Sequence, residues 1–344
     1  MSMIDDNKPT IRQGRARGPA VACIGGGTGL STLLRGLRKV ASDITAIVTV
    51  SDDGGGSGVL RDELGMPPPG DIRNCMQALS NAEPTIEKLL AYRFESGSLT
   101  GQSFGNLFLA AINGISESFD KAVLKMGEVL SITGRVLPVS IDDIRLWARF
   151  EDGSMVEGES NIAAAKAERK SRIKRIELAP PDAKALPECL EAIEKADLIV
   201  LGPGSLYTSI IPNLLVVGVS EAILSSDAVK IYICNIMTQP GETDGYSVPE
   251  HISELFDHSG GKLFDVCLVN NKAAAPEVLE RYMRDGAQPV REDQNAADEL
   301  GVEIVRAGTA ATQGDLARHD SDRLAHEVLR VFYEKAPTRT YGRT

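Results

Sequence analysis

Residues 20–37 read A-V-A-C-I-G-G-G-T-G-L-S-T-L-L-R-G-L, and this stretch decides the fold. The run Ala20–Ile24 is short and apolar, as expected of a central strand. Leu30, Leu33, Leu34, Leu37 and Val40 then recur at helical spacing, which lays one apolar stripe along an amphipathic helix. Between strand and helix stand Gly25, Gly26, Gly27, Thr28 and Gly29. Four glycines in five positions give up roughly 2 to 4 kcal/mol of backbone order relative to alanine, so something must approach the chain closely there. A phosphate cradle meets that need, because the amides and aligned dipoles at a helix N-terminus attract anions. Tight packing of strand on helix is the alternative. The spacing is neither the usual dinucleotide fingerprint, since Leu30 occupies the place of its third glycine, nor a P-loop, since no Gly-Lys-Ser/Thr follows.

Working outward, Ile44–Val50, Leu198–Leu201, Lys230–Cys234 and Asp265–Val269 are further buried-strand candidates, each ending in glycine or small polar residues. Ile144–Phe150 and Ser154–Ser160 flank Asp152-Gly153 as a β-hairpin, and Arg172–Leu178 alternates as a third strand. Asn161–Lys170, Ala- and Lys-rich, reads as a solvated connector, and Leu186–Ala196 as a helix. The expected fold is therefore α/β: a Rossmann-like three-layer α/β/α arrangement with a mainly parallel sheet and a small antiparallel β insertion. The expected organisation is a disordered arm over 1–18, one domain over 19–335 with the insertion at about 131–180, and a tail over 336–344.

The 344 residues are 42% hydrophobic and 25% charged, which excludes disordered, collagenous and membrane classes. The 37 Lys and Arg face 48 Asp and Glu, a net charge of −11, so no nucleic-acid partner is expected. The first eighteen residues lack an apolar stretch, so neither signal peptide nor membrane span is expected and the compartment is the cytoplasm. Five scattered cysteines without a C-x-x-C pair read as reduced core residues.

Three loops converge on the carboxyl edge of the sheet, where ligands bind in such folds. The second strand leads to Asp52 and Asp53, placed to bond a ribose hydroxyl, to hold magnesium through oxygen, or to close a turn on backbone amides. P-P-P-G-D-I-R-N at 67–74 puts Asp71 where it can cap a helix and leaves Arg73 and Asn74 in the first turn. Gly202 and Gly204 form a second cradle, with Ser205 as helix cap, and the loop holding Asn235 is the third. His251 and His258 lie seven apart, but a solvated helix explains them better than a metal pair does. Trp147 is expected in core or interface, and Ser321 as an N-cap.

Together these segments resemble the YvcK-type gluconeogenesis factors within the CofD-like, 2-phospho-L-lactate transferase-related family. The matching stretches are 25–30, 44–55, 67–74, 202–209, 232–239, 241–246 and R-H-D at 318–320. The resemblance implies a cytosolic regulator that binds UDP-N-acetylglucosamine and links carbon metabolism to cell-wall synthesis and cell shape. It implies that Tyr282 and Arg318 contact the nucleotide sugar, with Asn106 of the G-N pair in the site, and that some relatives bind NAD. The alternative it implies is a magnesium-dependent phospho-lactyl-type transferase acting on a nucleotide diphosphate substrate. A homo-oligomer is expected. In this branch a Ser/Thr kinase acting near Ser321 is also expected, an expectation lost if a Ser321→Ala protein responds to kinase as the parent does. The sequence departs from the family at Gln102, where relatives carry histidine, and at Gly56, where many carry serine. Gln102 cannot exchange protons near neutral pH, so acid–base work there is excluded.

Overall fold

A computed structural model describes residues 18–168, 171–313 and 316–336. The arm and tail expected at the two ends fall almost wholly outside them. The strands are β1 (Ala20–Gly25), β2 (Asp43–Val48), β3 (Arg135–Pro138), β4 (Arg145–Phe150), β5 (Met155–Glu157) and β6 (Ile173–Ala179), followed by β7 (Leu198–Leu201), β8 (Val229–Ile233), β9 (Val266–Asn270), β10 (Glu303–Ala307), β11 (Ala310–Gln313) and β12 (Leu316–His319). In the first half the helices are α1 (Gly27–Leu37), α2 (Gly55–Leu64), α3 (Gly70–Leu79), α4 (Pro84–Ala91), α5 (Phe104–Gly114), α6 (Phe119–Val129) and α7 (Glu159–Glu168). The second half adds α8 (Pro187–Glu194), α9 (Ile211–Leu215), α10 (Val219–Ser225), α11 (Val248–Ser259), α12 (Pro276–Arg284), α13 (Gln294–Glu299) and α14 (Ser321–Lys335).

Seven strands form one parallel sheet in the order β10-β9-β8-β7-β1-β2-β3. Successive side chains of a strand point to opposite faces, so a strand covered on both sides must be apolar throughout. β1 is such a strand: Val21 and Cys23 pack with α1, α3 and α14, whereas Ala22 and Ile24 pack with the antiparallel sheet, α8 and α11. Leu30, Leu33, Leu34 and Leu37 are fully buried on one side of α1, and Val40 lies beyond its end. All five cysteines are buried and free.

β4 pairs antiparallel with β5 and β6. The turn between β4 and β5 is closed by the Asp152 carboxylate, which accepts from the Ser154 amide at 2.9 Å. Leu146, Ala148 and Phe150 face the core, and Trp147 stands half-buried on the other face, in register with Glu157 and Glu177. This unit begins at Arg145 rather than near 131, because Arg135–Pro138 pairs parallel with β2 as the outer strand of the main sheet. The solvated connector expected from 161 is instead part of a helix, α7. Alanine, lysine and glutamate have high helix propensity, but with Ile162 buried and little else apolar there is no stripe to read. No helix among the described residues is long and apolar enough to cross a membrane.

His251 and His258 are both buried on α11. His258 Nδ1 bonds the Glu254 carbonyl at 2.8 Å, and its Nε2 accepts from the Ile176 amide of β6 at 3.0 Å. His251 Nδ1 bonds the Ser247 carbonyl at 2.8 Å. The solvated helix expected for them is thus a packed one, and His258 satisfies a backbone donor that burial would otherwise leave unpaired.

Candidate functional site

The chain runs β1, β2, β3 to one side and β7, β8, β9, β10 to the other, so the order reverses between β1 and β7. Loops leaving the carboxyl ends of two such strands diverge and leave a crevice. Here it has a volume of about 630 Å³. Gly26–Gly29 and Thr32 form its floor with Pro203, Gly204 and Ser205 of the loop after β7. Asn235–Pro240, after β8, make one wall; Tyr282 and Asp285 of α12 and Leu316–His319 of β12 make another, and Glu159 of α7 closes the rim.

The glycines divide by task. A Cβ at Gly29 would lie 2.4 Å from the Pro203 carbonyl oxygen, so this glycine serves the packing of the two loops on each other. Gly27 has φ +64 and lines the crevice, where no backbone atom would meet an added Cβ. Gly202, with φ +76, ends β7, and neither it nor Gly25 lines the crevice. Ser205 begins the π-helical turn Leu206–Ile210 as its cap, accepting from the Thr208 amide at 3.1 Å and donating to the buried Glu242 carboxylate.

Asp71 does not cap α3; the N-cap position is Pro69, and the Asp71 carboxylate accepts from the Gly27 amide instead. Gly27, at the first position of α1, has no helical acceptor for its amide, and Asp71 supplies one. Burial, and after it the nearby Asp52, push the Asp71 carboxyl up to about 6. Glu159 is pushed well above the carboxylate range by burial, then by Asp52, Asp71 and Glu242, against a Thr208 hydroxyl bond that favours its ionised form. Of these four carboxyl groups Glu159 and Glu242 line the crevice, and Asp52 and Asp71 stand close enough to act on Glu159, so one side of it is acidic.

Asp52 and Asp53 do not line it. Asp52 closes a local turn by accepting from the Gly54 amide at 2.9 Å, and Asp53 accepts from the Ser160 amide at 2.9 Å, tying the second loop to α7. Asn74 is half-buried on α3 away from the crevice. Asn106 is buried at the start of α5, where its Oδ1 accepts from Arg73 Nε at 3.2 Å. Gln102 is buried, and a Cβ at Gly56 would lie 2.6 Å from its Oε1, so the two departures from the family pattern are neighbours in space.

Asn235, Tyr282 and Arg318 do line the crevice, and the Tyr282 hydroxyl donates to the Ala317 carbonyl at 3.4 Å. His319 turns inward to Thr309, with Nδ1 2.9 Å from its Oγ1. Burial lowers the His319 pKa to about 4, so a neutral ring faces the crevice at pH 7. Ser321 is the first residue of α14, and Asp320 is the N-cap, accepting from the Asp322 and Arg323 amides at 3.1 and 3.0 Å. Glu159 was not legible as a site residue, being far in sequence from the glycine loop and outside every motif, whereas Glu242 and His319 stand within the matching stretches 241–246 and 318–320 without having been singled out.

Fold and crevice define a doubly wound α/β protein with a pocket at its switch point, floored by two glycine-bearing loops. The family model for 2-phospho-L-lactate transferase CofD matches residues 21–310. A gluconeogenesis-factor relative from Thermoanaerobacterium thermosulfurigenes is 57% identical over 91% of this chain and 96% of its own length. The gluconeogenesis factor of Bacillus subtilis is 48% identical over 92% of this chain and 99% of its own. A crystal structure of a UPF0052-family protein from Bacillus halodurans superposes with a TM-score of 0.86 at 48% identity, covering 90% of this chain and 99% of that one. The chain belongs to the CofD family, in its gluconeogenesis-factor branch.

Proposed function

We propose that the crevice binds a nucleotide sugar, UDP-N-acetylglucosamine, and that the protein is a cytoplasmic regulator linking carbon metabolism to cell-wall synthesis and cell shape. The observation that carries this reading is the meeting of two glycine-bearing loops at the switch point with Arg318 and Tyr282 on the facing wall. The amides of Thr28 and Gly29 at the start of α1 suit a diphosphate, the planar fork of Arg318 suits its outer oxygens, and the Tyr282 ring offers a surface for stacking. A pocket of about 630 Å³ is of the size that encloses a small organic ligand. Regulation then requires that the sugar bind one conformation better than another. Ser321, at the first turn of α14 and three residues from Arg318, is where added phosphate would change the charge beside that wall.

The acidic side of the crevice favours a second reading, the magnesium-dependent transferase. Asp52, Asp71, Glu159 and Glu242 repel one another and a phosphate, and a divalent cation would relieve both. The donor set is hard oxygen, as magnesium prefers. No group of three or more His, Cys, Asp or Glu among the described residues is placed to hold a metal by itself, so phosphate oxygens of the substrate would have to complete the coordination. The ion would supply charge neutralisation at the transferring group, and Asp71, on α3 and bonded to the glycine loop, would orient it. NAD is the remaining candidate ligand.

Thermal unfolding with UDP-N-acetylglucosamine, GDP or NAD, each with and without magnesium, separates these readings. At a ligand concentration 100-fold above Kd the stabilisation is about 2.7 kcal/mol. The regulator reading expects UDP-N-acetylglucosamine to raise the midpoint without magnesium. A rise confined to GDP plus magnesium would replace it by the transferase, and a rise with NAD alone would overturn both.

A further inference from the structure

We propose that a groove at the amino edge of the sheet is a docking site for the segment 337–344 of the same chain. The groove has a volume of about 900 Å³ and lies where β7 and β8 begin, at the edge opposite the crevice. Helices that cross back between parallel strands run against them, so their carboxyl ends gather at this edge. The ends of α8, α10 and α14 reach its lining at Glu194, Ser225 and Ala336. The last carbonyls of α8 and α14 leave partial negative charge there. The carboxylates of Glu194, Asp197 and Asp227 add to it, and among the described residues the lining carries one cation, Lys195. Lys195 pairs with Glu191. Of the cations beside lining positions, Lys335 pairs with Glu303, and Lys230 faces both Asp227 and Asp265. A groove with this field suits a positively charged occupant.

The chain supplies one at the groove itself. Beyond Ala336 it reads P-T-R-T-Y-G-R-T, with two arginines and no acidic residue in a protein of net charge −11. Ala336 closes α14 with φ −59 and ψ 124, so the backbone leaves the helix in extended form while still on the groove lining. Pro337 cannot continue the helix and favours that extended form in the residue before it. At about 3.3 Å per extended residue, Arg339 reaches roughly 10 Å from Ala336 and Arg343 roughly 23 Å. Both guanidinium groups can therefore meet carboxylates of the lining, each through a planar fork of donors. Leu190, Ala222, Ala228 and Val229 give the groove an apolar stretch for the ring of Tyr341.

The amino-terminal segment also carries arginines, at 12, 15 and 17, but Gly18 and Ala20, where it joins β1, are not on the lining. The segment that begins at Ala336 has the shorter path. Its tether supplies an effective concentration in the millimolar range, so modest contacts suffice to hold it. α14 runs from this groove to the crevice, where its cap Asp320 stands two residues after Arg318. Docking would thus hold the far end of the helix that borders the crevice wall.

Chymotrypsin cleavage after Tyr341, followed by mass spectrometry on the full chain, tests the proposal against a synthetic peptide of residues 336–344. Cleavage of the parent is expected to be slower than that of the peptide by about five-fold or more. Glu194→Lys with Asp227→Lys, both at exposed positions, is expected to bring the rate to that of the peptide. So is Arg339→Gln with Arg343→Gln, compared with its own peptide. The far-ultraviolet circular dichroism of both variants should match the parent. A parent cut as fast as the peptide overturns the proposal, as does protection that survives either pair of substitutions. Protection that is lost on removal of residues 1–17 would assign the groove to the other end of the chain, and protection that grows with protein concentration would assign it to a second molecule; each overturns the proposal.

Discussion

Asp71→Asn is expected to stabilise the protein at pH 7 by roughly 2 to 3 kcal/mol, although it removes the hydrogen-bonded carboxylate nearest the glycine loop. The sign follows from the direction of the shift. In the folded chain Asp71 titrates at about 6, above its ordinary 3.8, because burial and Asp52 oppose its charge. A raised acid favours folding while both states are protonated, and that contribution is lost as pH climbs from about 4 through 6. Asparagine keeps an oxygen for the Gly27 amide and carries no charge to desolvate. The gap between variant and parent, measured by urea unfolding, should therefore be small at pH 4 and open by pH 7. A gap independent of pH would mean that Asp71 is not held uncomfortably in the native state. A carboxylate held at this cost beside a glycine loop is a candidate site residue.

Gly36→Ala is expected to cost about 3 kcal/mol or more. Gly36 lies where α1 crosses α14, and an added Cβ would stand 1.9 Å from the Ser321 carbonyl oxygen and 2.9 Å from Ala325 Cβ. The first of these is backbone and cannot rotate away. The two helices would have to part, and with them the contacts of Leu33, Leu34 and Leu37 against Leu324, Val328 and Phe332. Arg318 and Ser321 flank the N-terminus of α14, so the same displacement should loosen the crevice wall. A urea midpoint within 0.5 kcal/mol of the parent would contradict this packing, because surface-type changes alone fall in that range.

The parallel core was legible because buried strands must be apolar without interruption: β1, β2, β7, β8 and β9 all stand where such runs occur. β3 and β10 were not, since they lie at the two edges of the sheet, one ending in Pro138 and the other carrying Glu303 and Arg306. β11 and β12 pair only with each other and are too short to show a period. α7 escaped for the opposite reason, having propensity without amphipathic pattern. In the site, the glycine loops were legible because their chemistry is backbone chemistry. The carboxylates were not, because an Asp in a loop can turn to a nearby amide, as Asp52 and Asp53 do, or reach across the fold, as Asp71 does. Sequence spacing does not distinguish the two.

The most direct measurement is a calorimetric titration of UDP-N-acetylglucosamine into the full chain and into Arg318→Ala at pH 7. The nucleotide sugar is expected to bind the parent at a single site, and loss of the Arg318 fork to weaken it by about ten-fold or more, as removal of a charge-assisted pair does. Equal affinity for the two proteins, or no heat with the parent, would contradict the assignment of the β1/β7 crevice as its site.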